Sequence, residues 1–281
     1  MKNKIFHIHS LPGFAQKINA YLAGRISFFL FCKARPTPVK QQELAIMSQA
    51  QKTTLRMNGL KVTTYAWGNE GKPVLLIHGW ESRASRFYLF ISELIKQGYQ
   101  PVTFDAPGHG ESEGSTTNLL EYYEIIQQLQ EKYGVFEAII AHSLGVLNTF
   151  YAIRQGIQTK SIVAISGVCE FNFLTRKYSS FLKLTEKSFQ HLKNGVENLF
   201  IPHKNIWEIF SAHYESKKIT QPILIIHDKN DEMVEINQAK LLYATYKDRA
   251  YFHMTQTLGH HRILIDMSVI QLSIKYIAGG F

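Results

Sequence analysis

Ala141-His142-Ser143-Leu144-Gly145 lies between a short apolar run, Phe136 to Ile140, and a helix-like segment, Val146 to Ile153. A serine flanked by small residues at a strand-to-helix junction can occupy a turn too tight for larger neighbours. Such a turn lifts the hydroxyl clear of the sheet. If Ser143 is a nucleophile, the rest of the chain must supply a base, a group that orients the base, and donors for a developing oxyanion.

Working outward, short apolar runs alternate with longer amphipathic ones. Val74 to Ile77, Pro101 to Phe104, Phe136 to Ile140, Ser161 to Ile165 and Ile223 to Ile226 read as buried strands. Between them, Ser85 to Gln97 and Thr117 to Tyr133 have helical period, the second with Leu120, Tyr123, Ile126 and Leu129 on one face. Continuous apolar strands separated by helices imply a parallel sheet covered on both faces. Upstream, Thr53 to Trp67 reads as a hairpin turning at Asn58-Gly59, which adds antiparallel strands at one edge. Gln41 to Gln51 is a short helix candidate, and Ile263 to Ile277 a C-terminal one.

Residues 171–218 interrupt the alternation. They contain no strand-like run, have helical spacing at Phe189, Leu192, Val196 and Phe200, and are rich in aromatics. An insertion there would stand at the carboxyl ends of the strands, where open α/β sheets bind ligands.

The base is sought after the last β-rich stretch, Ala250 to Met254, at Gly259-His260-His261-Arg262. His260 is preferred over His261 because Gly259 permits the sharp turn that aims it. The acid is sought where the strand Ile223 to Ile226 runs into His227-Asp228-Lys229-Asn230-Asp231-Glu232. Asp231 is preferred, Asp228 being placed in the turn itself, with Glu232 and Glu170 as alternatives. For the oxyanion, His78-Gly79-Trp80 ends a strand at a glycine that lets the chain bend. The backbone N–H groups of Trp80 and Leu144 are the expected donors. Asp105-Ala106-Pro107-Gly108-His109-Gly110-Glu111-Ser112 lacks the spacing of a phosphate loop or a dinucleotide fingerprint and reads as a structural turn. His109 and His142 are expected to be scaffold beside the site.

In this order these motifs resemble the α/β-hydrolase superfamily, from about Thr53 to the C-terminus. The succession Ser143, Asp231, His260 is the family order. The resemblance implies an α/β fold with an eight-stranded, mostly parallel sheet and a helical cap inserted after the sixth strand. It divides the chain into an arm (1–52), a core (53–170 and 219–281) and a cap (171–218). It also implies a carboxylic ester or thioester hydrolase of the serine type. The elbow departs from the usual pattern in having Ala141 in place of a first glycine. Within the resemblance, a serine rather than an aspartate at the elbow argues against haloalkane dehalogenase and epoxide hydrolase chemistry, which use a carboxylate nucleophile in this fold. A non-catalytic binding protein on the same fold is the alternative.

Composition bounds the rest. With 281 residues, 45% apolar and 19% charged, the chain is long enough for one large α/β domain with ample core. Cys32 and Cys169 are far apart and fit no metal or redox spacing, so free thiols in a reducing, cytoplasmic setting are expected. No His-Glu-x-x-His motif occurs and His7-x-His9 falls in the terminus, so neither a metal nor a cofactor is expected. The substrate is expected to be a small ester with an apolar acyl or aryl group, from the aromatic cap.

Of the formal net charge of +9, residues 1 to 42 carry +7 and no acid, which leaves +2 for the remainder. In that arm Phe14, Ile18, Tyr21, Leu22, Ile26 and Phe29 recur at helical spacing. The apolar run Ile26 to Cys32 is too short to span a bilayer, and it starts too late and lacks the small-residue cleavage site expected of a secretory signal. An amphipathic helix packed on the body is expected, with peripheral membrane contact through residues 1–40 as the sharper reading. No nucleic-acid recognition motif is present.

Overall fold

The computed structural model describes residues 11–13 and 15–279. The readings that involve Lys2, Lys4, His7, His9 and Phe14 lie outside the described residues.

Eight strands form one sheet: β1 (Gln51–Met57), β2 (Leu60–Ala66), β3 (Lys72–Ile77), β4 (Tyr99–Phe104), β5 (Ala138–His142), β6 (Ile162–Ile165), β7 (Ile223–Asp228) and β8 (Ala250–Thr255). Their order is β1-β2-β4-β3-β5-β6-β7-β8. The hairpin turns at Asn58 and Gly59, whose φ values of 50° and 80° are those that a two-residue hairpin loop demands. β1, β2 and β4 pair antiparallel, and every pair from β4 to β8 is parallel.

Alternate residues of the central strands feed opposite faces. Leu75, Ile77, Ile139, Ala141, Ile162, Ala164 and Ile225 join one apolar core. Val74, Leu76, Ile140, Val163, Ile165, Leu224 and Ile226 join the other. This period of two is why strands buried on both faces read as unbroken apolar runs. Burying one such Leu or Ile side chain stabilises the fold by roughly 1.5–3 kcal/mol. Parallel register then sets the site. Ile77 pairs with Ala141, His142 with Ile165, and Ile165 with Ile226. The chain therefore leaves β3, β5 and β7 along one edge, as it does β8.

The helices depart from the sequence expectation in detail. The apolar stretch after β3 opens with a 3-10 turn, Ala84–Phe87, before the helix Tyr88–Lys96. The helix Leu119–Tyr133 buries Leu119, Tyr122, Ile125, Ile126 and Leu129, so its buried face is rotated from the expected one and Leu120 and Tyr123 lie at its margin. The C-terminal segment breaks at Asp266, which caps the helix Met267–Ile277 by accepting from the Ser268 and Val269 N–H groups.

Between β6 and β7 the chain forms the helices Phe171–Leu182, Glu186–Leu199 and Ile206–Ile209. Their aromatics mostly pack on one another. Phe171 lies 5.5 Å from Trp207 and 5.4 Å from Phe210, and Phe200 lies 4.6 Å from Phe210, ring centre to ring centre. Phe171, Phe200 and Phe210 are buried. They are the core between insertion and sheet, so they give no information about a substrate. Buried Arg154 fastens the insertion by donating to the Ile209 carbonyl at 2.7 Å.

The N-terminal helix Ala20–Cys32 lies along the insertion helix Glu186–Leu199. Its packing face corrects the sequence reading. Ala23, Gly24 and Ser27 are buried, whereas Ile18, Tyr21, Leu22 and Phe29 are exposed. The cause is close approach. A Cβ on Gly24 would come within 2.3 Å of the His191 Cβ, and one on Gly195 within 2.8 Å of the Phe28 ring. No side chain larger than that of Ala or Ser fits where the two backbones come nearest, so Phe28 and Phe31 pack to the side, against Gly195 and Tyr178, and Leu22 and Phe29 point away. Among the described residues no helix is long and apolar enough to cross a membrane.

Candidate active site

Ser143 has φ 56° and ψ −121°, between the end of β5 and the helix Leu144–Arg154. A positive φ is costly for a residue with a Cβ, of order 1–3 kcal/mol, and persists only where the surroundings impose it. Two close approaches impose it here. A Cβ on Gly145 would stand 2.4 Å from the Ile77 carbonyl oxygen, and one on Gly79 would stand 2.7 Å from the Ser143 Cβ. The helix start and the end of β3 are therefore pressed together, with glycine at both contacts. Ala141 is compatible with this turn because its methyl joins the apolar core of the sheet.

His260 lies in a single helical turn, Gly259–Arg262, entered through Gly259 at φ 62°. Its Nε2 is 3.1 Å from Ser143 Oγ, and its Nδ1 is 2.7 Å from Asp231 Oδ2. Asp231 is buried, and its Oδ1 accepts from the N–H groups of Met233 and Val234, each at 2.9 Å. Burial alone would raise the Asp231 carboxyl. The hydrogen bond and charge of His260, with the Val234 N–H, outweigh it and hold the carboxyl at about 2. The carboxylate therefore fixes the proton on Nδ1, leaving Nε2 as the acceptor that faces the serine.

The competing acids are committed elsewhere. Asp228 accepts from the Asn230 N–H at 2.9 Å, the Thr255 hydroxyl at 2.6 Å and the Leu258 N–H at 2.8 Å, which closes the turn after β7. Glu170 accepts from the Gln238 amide at 3.0 Å, and Glu232 is exposed.

Trp80 and Leu144 lie on the two sides of Ser143, one after Gly79 and the other at the first turn of the elbow helix. Among the described residues neither N–H donates to a protein acceptor. The turn that carries Trp80 is held from below. His78 Nε2 accepts from the Ala106 N–H at 3.0 Å, and His109 Nε2 accepts from the Glu81 N–H at 3.0 Å. Buried Asp105 accepts from the Tyr65 hydroxyl and from the Ala84 and Glu111 N–H groups, each at 2.8 Å. The loop 105–112 thus acts as a buttress, and His109 is scaffold as expected. Burial keeps both histidines neutral, with His78 lowered to about 4 and His109 lowered as well.

Three further contributions support the site, and the sequence pointed to only one of them, His142. His142 donates its Nε2–H to the His260 carbonyl oxygen at 2.8 Å. Arg35 ion-pairs with Glu81, and the Thr37 hydroxyl donates to the Glu81 carbonyl at 2.6 Å, so the arm grips the residue after Trp80. His227, buried beside Asp231, donates to the Val234 carbonyl at 2.8 Å and steadies the acid loop. No sequence signal marks Thr37 or Arg35. His142 carried one, its place next to the elbow serine. Among the described residues no cluster of His, Cys, Asp and Glu is arranged to hold a metal ion.

A model of the alpha/beta hydrolase family matches residues 74–236 of the chain. The uncharacterized hydrolase YugF of Bacillus subtilis is 26% identical over 250 residues, covering 73% of this chain and 89% of that protein. The non-heme chloroperoxidase CPO-A1 of Kitasatospora aureofaciens is 25% identical over 178 residues, covering 58% and 61%. Among solved structures, an esterase of Pyrococcus furiosus superposes with a TM-score of 0.64 at 18% identity, covering 88% of this chain and 98% of that one.

Proposed function

The chain belongs to the alpha/beta hydrolase family, and from that premise we propose that it cleaves a carboxylic ester or thioester through an acyl-enzyme on Ser143. One observation carries the reading: the unbroken path from Ser143 Oγ through the His260 ring to the Asp231 carboxylate, at 3.1 and 2.7 Å. His260 Nε2 takes the Ser143 hydroxyl proton as Oγ bonds to the acyl carbon. The carbonyl oxygen becomes an oxyanion that accepts from the Trp80 and Leu144 N–H groups. His260 then passes the proton to the leaving oxygen or sulfur, the tetrahedral species collapses, and the acyl group remains on Oγ. Water, deprotonated by the same nitrogen, repeats the attack and releases the acid. Asp231 stays ionised throughout and stabilises the transient imidazolium.

The helical insertion 171–218 is the cap of this reading, and its placement after β6 supports that role. The test is a fluorophosphonate probe together with a panel of p-nitrophenyl esters and thioesters. Labelling at Ser143 and turnover abolished in Ser143→Ala are expected. An unlabelled serine would favour a binding protein on the same fold. Halide oxidation without ester turnover would make the peroxidase activity the correct one.

A further inference from the structure

We propose that the outward face of the arm helix Ala20–Cys32 is a docking surface for an anionic lipid bilayer. The helix meets the body through Ala23, Gly24 and Ser27 together with Phe28 and Phe31, which leaves the apolar side chains of its opposite side exposed. Leu22, Arg25, Phe29 and Lys33 follow one another at steps of three or four residues and form one stripe along the exposed side, with Tyr21 beside it. Leu22 is 48% exposed and Phe29 59%, values that exclude a role in the core. The stripe is bordered on the insertion by exposed Leu199. A groove of about 200 Å³ runs beside Phe29, with Phe28, Cys32 and Leu199 on its apolar wall.

Scattered exposed apolar residues need no explanation, but a contiguous row rimmed by one sign of charge does. Here the rim is basic. The Arg25 guanidinium lies 5.9 Å from the centre of the Tyr21 ring and the Lys33 ammonium 5.7 Å from that of Phe29. Both cations thus flank the apolar row, as the long side chains of interfacial helices do. Residues 1 to 42 carry +7 without a single acid, while the rest of the chain carries only +2. Arg25 and Lys33 therefore place positive charge beside the apolar row, while Arg35 of the same arm is paired with Glu81. A neutral protein partner would match the apolar row and leave the charge unused. An anionic bilayer uses both, at about 1 kcal/mol for each basic residue near its surface.

Full-length protein is sedimented with phosphatidylcholine vesicles with and without phosphatidylglycerol. Binding is expected to the anionic vesicles and to fall with salt. Leu22→Glu with Phe29→Glu is expected to lower partition about tenfold or more, and Arg25→Gln roughly fivefold. Far-UV circular dichroism and the Tm report whether each variant is folded. Wild-type protein that ignores anionic vesicles overturns the proposal. So does a folded Leu22→Glu, Phe29→Glu protein that binds like wild type. A concentration-dependent dimer in gel filtration, lost in the double variant and without vesicle binding, would assign the face to a second copy of the chain and also overturn it.

Discussion

The Nε2–H of His142 points at the carbonyl oxygen of His260, 2.8 Å away, so the residue before the serine holds the backbone of the histidine that faces it. The two rings lie 4.6 Å apart, centre to centre. Burial, with the neighbouring His260, pushes the His142 imidazole well below its ordinary value, so it stays a neutral single donor. His142→Phe keeps the ring volume and removes the donor. A loss of kcat of about 10- to 100-fold is expected, as for a small misplacement of a reacting group, with KM little changed. Steady-state kinetics on a p-nitrophenyl ester check it, and an unchanged kcat would leave His142 with a packing role only.

Asp231→Asn should retain the fold, because the Asn oxygen can still accept from the Met233 and Val234 N–H groups. It would present an amide to His260 Nδ1 and favour the wrong tautomer. The expected loss in kcat is about 10⁴-fold, as for the equivalent change in a serine triad. The rate of fluorophosphonate labelling should fall with it. The Asp231 carboxyl lies at about 2, below its ordinary 3.8, so its stabilising contribution is complete above 3.8 and is lost only as pH falls towards 2. An acid limb in activity above that range therefore belongs to another group.

Acid sensitivity of the fold should begin earlier, and from histidines. Burial, with the neighbouring His109, lowers His78 from 6.5 to about 4, and His109 and His142 move in the same direction. A folded value below the unfolded one means the contribution is whole above pH 6.5 and is lost as pH falls towards 4. For His78 the full change is on the order of 3 kcal/mol. The urea midpoint should hold steady above pH 6.5 and fall progressively below it. A midpoint that stays flat down to pH 4 would contradict the buried neutral assignment.

Gly79→Ala places a methyl carbon 2.7 Å from the Ser143 Cβ, closer than such atoms come. Either the β3 turn or the elbow must yield, and both carry proposed oxyanion donors. Misplacing one such donor costs about 3–4 kcal/mol of transition-state stabilisation. A fall in kcat of at least 100-fold in a folded protein is expected, read from kinetics beside a thermal melt.

Arg35→Ala with Thr37→Val removes the grip on Glu81. The ion pair is largely solvent-exposed on the arginine side, so its share of global stability is about 1 kcal/mol or less. The effect should appear instead in the turn that holds Trp80. A several-fold drop in kcat with a Tm within a few degrees is the expected pattern. A large drop in Tm with kcat intact would reverse the interpretation.

The sheet was legible because each central strand is buried on both faces and so leaves an apolar run bounded by turns. Ser143, Asp231 and His260, the proposed triad, were legible because each follows a strand end, where a side chain of this proposed role would stand. Gly259 marks the bend before His260, and Gly79 and Gly145 mark the close approach of β3 to the elbow. The packing of the arm was not legible, since periodicity shows that a helix has two faces but not which one meets the body. Gly24 decided that, through a distance to His191 that no local pattern encodes. Arg35 and Thr37 were hidden for a similar reason: their partner, Glu81, lies more than forty residues away. The aromatics of the insertion suggested a substrate surface, but large apolar side chains fill a core and line a pocket equally well.

The arm helix has a consequence for the order in which the protein is made. It leaves the ribosome before any strand of the sheet, yet the helix that covers its small-residue face begins only at Glu186. Until that segment emerges, both faces of the helix are bare, one apolar and basic, the other cut to fit a surface not yet synthesised. Closing so long a loop is slow compared with local helix formation. The nascent chain therefore displays both faces of this helix until the segment from Glu186 has been made.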